Sequence, residues 1–401
     1  MYSQNEVLDF IKEEDVKFIK LAFCDVFGKQ KNVSIMDTEL KRAFEHGIAV
    51  DASAIKGFGD ESRSDLFLHP DPSTLTILPW RPEHGRVVKM FCDVSYPDGS
   101  PFECDSRRIL KNAVSAAEEQ GLFFKFGTEI EFYLFKLDEN GNPTKEPYDF
   151  AGYMDIAPQD KGENIRREIC LTLEKMGIFP ETSHHEEGPG QNEIDFRYSD
   201  PLTAADNAMT FCQVVSAVAN RNGIFADFTP KPLQDSAGNG FHINFSVKSS
   251  DGKDVLDNCI AGILNRIEES TLFFNPLNDS YKRLGKNKAP AYVCWSKENR
   301  SELIRIPAAV GEFKRAELRS PDPSANPYLA FALIIYSAIE GISNSEKLPA
   351  ATDFNTYTAA DEHVKNLKPL PTSLSDAKLK ARKSEFVKNK LPATLISEYC
   401  D

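Results

Sequence analysis

The chain lacks a basic excess, paired cysteines and any long apolar run, and each lack excludes a class of protein. With 47 Lys and Arg against 61 Asp and Glu, its formal net charge is −14. No basic stripe stands out that could release counterions from a nucleic acid or grip anionic lipid, so neither partner is expected. The eight cysteines, from Cys24 to Cys400, are scattered singly with no CxxC pair. That fits reduced thiols and leaves neither a disulfide framework nor a cysteine-built zinc site. The longest apolar stretch, around Tyr328 to Ile339, falls short of the ~20 residues a membrane span needs. The first residues, MYSQNEVLDFIKEED, have no basic region followed by an apolar one, and a cytoplasmic location is the expectation.

What is present is an ordinary globular composition, 41% hydrophobic and 27% charged over 401 residues, enough to bury a core without covalent staples. Single cores rarely grow past roughly 300 residues, so two domains are expected, one of them large. The pattern from Glu6 to Glu14 is helical, Val16 to Val26 alternates, and Gly28 turns the chain toward a second strand at Val33 to Ile35. The turn-rich segment Tyr96 to Pro101 and the helix start at Asp105-Ser106 divide the chain into residues 1–103 and 104–401. Helices are expected from Arg107 to Gly121, from Ile165 to Met176 and from Leu202 to Asn222, each closed by a glycine and followed by a strand. Beyond Ser345 the chain is polar, and its Lys-rich stretch Leu379 to Lys390 reads as a solvated amphipathic tail.

The chemistry-bearing residues sit on strand-like segments. In GTEIEF (127–132), Glu129 and Glu131 alternate with Ile130 and Phe132, so both carboxylates share one face at ~6–7 Å. Like charges held so close raise each other's pKa unless a cation joins them; a metal site and a solvated sheet face are both open. In SHHEEGPGQNEID (183–195), a turn at Gly188-Pro189-Gly190 brings Glu186 and Glu193 together. His242, Asn244 and Ser246 alternate on a strand that follows Gly238 and Gly240, and Arg315, Glu317 and Arg319 share a face in KRAELRS (314–320). Four such strands point to one shared, cation-filled site, the arrangement that phosphoryl transfer needs to offset charge on the transferred group.

At these strands the sequence resembles the glutamine synthetase family, type I. The matching stretches are DASAI (51–55), GTEIEF, GYMDIAP (152–158), SHHEEGPGQNEID, FTPKP (228–232), NDSYKRL (278–284), NRSELIRIP (299–307) and RSPDPSANPY (319–328). The resemblance implies an α+β chain with a small N-terminal β-grasp domain. A large catalytic domain follows, a curved antiparallel sheet flanked by helices. It implies a hexameric ring or double-ring dodecamer with active sites between subunits, ATP as co-substrate, and two or three Mg2+ or Mn2+. Carried over to this sequence, Glu131, Glu186 and Glu193 would hold one metal and Glu129, His242 and Glu317 another. Glu181, Ser246, Arg300, Arg305 and Arg315 would contact ATP, and Gly238, Arg283, Arg300 and Arg319 would hold L-glutamate. Arg300 and Arg319 are also expected in the catalytic set, with Asp51 from a neighbouring subunit at the ammonium pocket. The implied reaction phosphorylates the γ-carboxylate of glutamate, and ammonia then displaces phosphate to give glutamine.

Three stretches depart from the family pattern. Where the flap commonly carries a glutamate before Ala-Pro, LGKNKAP (284–290) has Lys288, and no acid lies between Arg283 and Pro290. A lysine, with an ordinary pKa near ~10.4, would repel ammonium. The loop AGNGFH (237–242) has Ala237 where an amide is usual, and the context of Tyr357 is a weak match to the family's adenylylation segment. A glutamine synthetase, a ligase for another amine and a catalytically silent regulator are therefore three readings, and Lys288 is the residue that separates the first two.

Overall fold

The computed structural model describes residues 2–81, 84–308 and 314–401. Helix Gln4–Glu13 is started by a capping box in which Ser3 and Glu6 satisfy each other's backbone donors. A first sheet follows, made of β1 (Val16–Cys24), β2 (Gln30–Met36), β3 (Ile48–Asp51), β4 (Asp65–Pro70), β5 (Thr76–Ile77) and β6 (Arg86–Ser95). Its order is β2-β1-β6-β4-β3, with β5 alongside β6. The pairing of β1 with β2 is antiparallel and that of β1 with β6 parallel.

The second sheet contains β7 (Leu122–Leu137), β8 (Pro143–Pro147), β9 (Pro180–His185), β10 (Gln191–Ser199), β11 (Ile224–Asp227) and β12 (Phe241–Ser249). Beyond β13 (Tyr292–Val293), it is completed by β14 (Trp295–Lys297), β15 (Ile304–Ile306) and β16 (Ala316–Leu318); β13 itself pairs with β17 (Lys368–Pro369). The order is β14-β15-β16-β12-β7-β10-β9, with β8 and β11 also on β7, and the sheet curls into a half-barrel. The α+β expectation holds. The apolar residues of β7 form the core face: Phe126 stacks on Phe331 at 4.4 Å and Phe132 meets Phe211 edge-on at 6.1 Å. Those partners lie on helices Pro327–Ser343 and Pro201–Arg221. Among the described residues, no helix is long and apolar enough to cross a membrane.

Helices Leu256–Phe274 and Pro327–Ser343 touch through glycines. A Cβ at Gly262 would lie 2.2 Å from the Ser337 carbonyl and 2.9 Å from the Gly341 Cα. Gly262→Ala should therefore push the helices apart and destabilise the fold by about 1–3 kcal/mol, read as a lower denaturant midpoint with an unchanged m-value.

The first sheet is tied to helix Pro201–Arg221 by Arg107, buried on helix Ser106–Glu118. Its guanidinium takes Asp206 at 3.0 and 3.1 Å, Asp93 at 3.0 Å and Asp71 at 2.9 Å, and Tyr328 donates to Asp206 at 2.6 Å. Asp105 caps that helix as the sequence suggested, accepting from the Arg107 N–H.

The C-terminal stretch corrects the sequence reading. It forms helices Leu374–Lys383, Glu385–Lys390 and Ala393–Cys400, with Ala377, Ala381, Phe386, Val387 and Leu395 buried. Tyr399 packs between Phe27 and Phe273, at 5.0 and 4.9 Å, and donates to the Val26 carbonyl at 2.9 Å. The lysines hide this role in the sequence because they keep their stems on the surface, and Lys380 reaches Glu268 at 2.8 Å.

Candidate active site

Strand alternation sends Ile130 and Phe132 into the core and leaves Glu129 and Glu131 on the opposite face of β7. Register then gathers partners around them. Glu131 stands opposite Glu193, while Glu129 stands opposite Asp195 on β10 and His242 on β12. One row over, Asn244 faces Glu317 on β16, and Glu317 faces Arg305 on β15. Directly opposed residues on one sheet face have Cβ atoms about 4.5–5.5 Å apart, so five strands deliver acids, a histidine and arginines to one place.

Two overlapping clusters result. In the first, His242 Nδ1 lies 3.3 Å from Glu129 and 3.7 Å from Glu317. Glu317 is wholly buried and also takes Arg305 Nε at 2.6 Å and Arg319 Nη1 at 2.5 Å. Asn244 holds Glu129 at 2.9 Å and is itself held by Arg315 at 2.9 Å. Glu129, His242 and Glu317 offer ligand atoms within 4.8 Å of one another, the set the family resemblance implies. In the second cluster, Glu193 is the shared member, approached by Glu131 with His242 and by His184 with Glu186. His184 lies 3.3 Å from Glu193 and 3.7 Å from Glu186. Glu193 thus belongs to one group with Glu131 and His242 and to another with His184 and Glu186, and His184 stands between the last two carboxylates. The backbone N–H of Gly240 (2.7 Å) and the Gln191 amide (3.0 Å) fix the Glu131 carboxylate.

The charges are unbalanced in a way that fits a cation. Burial, reinforced by Glu131, pushes the Glu186 carboxyl up to about 8. Burial and the neighbouring Glu129 push Asp195 up to about 7, and burial with Asp195 and Glu131 raises Glu193 well above the usual range. Glu129 is the exception: burial opposes its charge, but His242, the Asn244 amide and Arg319 hold it down to about 2. Among the described residues, Asp195 Oδ1 and Arg319 Nε are buried without a hydrogen-bond partner. Oxygen-rich groups that resist ionisation, with orphaned polar atoms beside them, fit hard divalent cations and an anionic substrate.

A cavity of about 600 Å³ joins these groups. Of the residues singled out from sequence, Glu129, Glu131, Glu186, Glu193, His242, Gly238, Arg283, Lys288, Arg300, Arg305, Arg315 and Arg319 line it. Glu317 stands directly behind its wall, bonded to Arg305 and Arg319. Gly238 sits where a Cβ would meet the Pro230 carbonyl at 2.5 Å and Arg283 Cγ at 2.8 Å. Arg283 is held by the Ser320 and Arg319 carbonyls at 2.7 and 3.3 Å. Besides Glu317, three residues lie outside the cavity lining. Glu181 is exposed on β9, and Ser246 is half-buried on β12 opposite Lys125. Asp51 is exposed at the end of β3 in the first sheet, its carboxyl held down by the Ser53 hydroxyl and N–H.

Ala237 contributes its carbonyl to Tyr133 at 2.6 Å. The amide two residues on does not replace the one missing there, because Asn239 is spent on the Asp227 and Thr229 carbonyls at 3.1 and 2.9 Å.

Sequence reasoning did not single out Asp195, His184, Gln191, Tyr153 or Glu187, all on the cavity wall. Asp195 was findable: it stands two residues after Glu193, and the alternation that flags Glu129 and Glu131 flags it equally.

An α+β chain whose second sheet turns two acid clusters and several guanidiniums toward one cavity has the make-up of an enzyme that handles charged, metal-bridged substrates. Residues 103–401 match the glutamine synthetase catalytic domain and residues 15–97 the glutamine synthetase beta-Grasp domain. The chain belongs to the glutamine synthetase family, a family of carbon–nitrogen ligases that use ATP and a divalent metal. It is 43% identical to glutamine synthetase of Clostridium saccharobutylicum over 99% of this chain and 93% of that protein. It is 44% identical to glutamine synthetase of Methanosarcina mazei over 99% and 92%. Among solved structures, GmaS in complex with ADP superposes with a TM-score of 0.89 at 27% identity, covering 98% of this chain and 93% of that one. Apo GmaS without ligand gives the same figures.

Proposed function

We propose that this chain joins ammonia to the γ-carboxylate of L-glutamate at the cost of ATP, through γ-glutamyl phosphate, giving L-glutamine, ADP and phosphate. The observation that carries this reading is the single cavity that holds both acid clusters together with Arg283, Arg300, Arg305, Arg315 and Arg319. In this reading Glu129, His242 and Glu317 hold one divalent metal, and Glu131, Glu186 and Glu193 another. Bound there, Mg2+ or Mn2+ would offset the charge on the phosphates. The remaining work belongs to the chain: Arg305, Arg315 and Arg300 orient ATP with Glu181 and Ser246, while Gly238, Arg283 and Arg319 orient glutamate. Guanidiniums fixed by Glu317 and by backbone carbonyls are already aimed before substrate arrives, which is where electrostatic catalysis gains most. Asp51 acts from a neighbouring subunit of a ring, a hexamer or a dodecamer, and residues 1–103 and 104–401 form the two domains of a cytoplasmic enzyme.

Gly238→Ala should raise the KM for glutamate about tenfold or more by displacing Arg283, with the KM for ATP nearly unchanged, in a steady-state phosphate-release assay.

A second reading is a γ-glutamyl-amine ligase. Lys288 favours it, as does the similarity to GmaS, a γ-glutamylmethylamide synthetase. The deciding experiment is Mg2+- and glutamate-dependent phosphate release by purified protein, first with ammonium and then with a panel of amines. Ammonium-stimulated turnover yielding glutamine supports the first reading, turnover with an amine alone supports the second, and no turnover with either rejects both.

A further inference from the structure

One ion pair crosses the mouth of the cavity. The ammonium of Lys288, in the loop 284–290, sits on the carboxylate of Glu187, the residue after Glu186 in the hairpin between β9 and β10. The same ammonium lies 5.3 Å above the Tyr153 ring, and that ring meets His184 edge-on at 5.4 Å. All four side chains line the cavity. The loop bends sharply to reach this position: Asn287 and Lys288 have φ of 46° and 66°, values that side-chain-bearing residues rarely adopt. Arg319 Nη2 steadies the turn by donating to the Lys288 carbonyl at 3.4 Å.

A carboxylate and an aromatic face are the two groups that recognise a compact cation. Here an ammonium from the chain itself occupies their meeting point. The loop brings no acid of its own, so the hairpin supplies the charge from across the cavity. We propose that Glu187 is the specificity-determining carboxylate of the nitrogen-donor site. It binds a protonated amine, either ammonium or a small primary alkylammonium, and the Lys288 ammonium keeps that place until the donor displaces it. The proposal rests on the reading of the chain as a γ-glutamyl ligase. A surface ion pair with no role is the competing account, since the two side chains are 49% and 35% exposed and such pairs add little to stability.

The test uses the full-length oligomer with Mg2+, saturating ATP and glutamate. The KM is measured for ammonium, for methylammonium and for hydroxylamine, a nitrogen nucleophile that is uncharged at neutral pH. Glu187→Gln should raise the KM of the cationic donors about tenfold, as loss of one charge contact does, and leave that of hydroxylamine nearly unchanged. Lys288→Met should lower the KM of the cationic donors. Equal shifts for charged and uncharged donors, or no shift, would overturn the proposal, and the better of ammonium and methylammonium identifies the source of the cation. Hydrogen exchange across residues 284–290 supplies a readout independent of turnover. Ammonium should change exchange in the wild type and not in Glu187→Gln. If no donor yields a γ-glutamyl product, the ligase reading fails, while the exchange response still decides whether Glu187 binds the cation.

Discussion

Glu317→Gln is expected to lower turnover on the order of a thousandfold, the upper range seen when a fixed polar group at developing charge is removed. Glu317 is wholly buried, and its two oxygens are divided between Arg305 and Arg319, with His242 alongside. Glutamine keeps the shape but loses the charge, and its amide turns donors toward a guanidinium. Two arginines then lose the anion that aims them, and the cluster with Glu129 and His242 loses one of the oxygens that could hold a metal. Breaking a buried ion pair also costs about 3–5 kcal/mol, so kcat must be measured well below the unfolding midpoint, with folding checked by circular dichroism. A kcat within about tenfold of wild type would place Glu317 in a supporting role and remove it from the metal set.

Much of this site was legible because strand period acts locally. Glu129 with Glu131, and Arg315 with Glu317 and Arg319, share faces by alternation alone, and the glycine-proline turn announces the hairpin that joins Glu186 to Glu193. The grouping of these pairs was not legible from spacing. Glu129 meets His242 and Asp195 only because β7 pairs with both β12 and β10 in a particular register, and that register is set by packing between segments far apart in sequence. Family resemblance proposed a grouping for six residues, of which Glu129, His242 and Glu317 offer ligand atoms within reach of one another, and it left out Asp195 and Glu187.

Two other outcomes follow from the same division between local and distant structure. Within its own loop Lys288 looks like a lone cation facing the donor, but the structure gives it an anionic partner from the hairpin. The C-terminal helices look solvated in sequence because lysines interrupt their apolar spacing and Ser384 breaks the run. Their partners, Glu268 and Phe273 on helix Leu256–Phe274 and the Val26 carbonyl near β1, lie more than a hundred residues away in sequence. Helix closure, by contrast, is local. Gly121 and Gly177 take left-handed φ of 70° and 80° after the helices they were expected to end.

Without metal, the protein should lose stability as pH rises from the ordinary carboxylate range to about 8. Glu186 is raised to about 8 and Asp195 to about 7, and Glu193 is also raised well above the usual carboxylate range. A carboxyl whose folded pKa lies above its unfolded value favours the folded state while both forms are protonated, and that contribution disappears as pH climbs through the folded value. A tenfold weakening of one acid corresponds to about 1.4 kcal/mol, so a few kcal/mol are at stake. Other groups titrate in this window with the opposite sign, burial holding Lys89 down to about 7 and His184 below its ordinary value. Comparison with Glu186→Gln cancels them. That variant should match the wild type in metal-free thermal midpoint near pH 5 and exceed it near pH 8, although its turnover is lost. Mg2+ or Mn2+ should reverse the order, because a cation can replace the protons only when the carboxylates are ionised. Its stabilisation of the wild type should therefore be slight at pH 5 and large at pH 8, growing with metal concentration as binding to the folded state requires. A metal-induced shift that is equal at both pH values, or a metal-free Glu186→Gln protein less stable than wild type at pH 8, would mean that these carboxylates are not held together under mutual repulsion and that the cation site lies elsewhere.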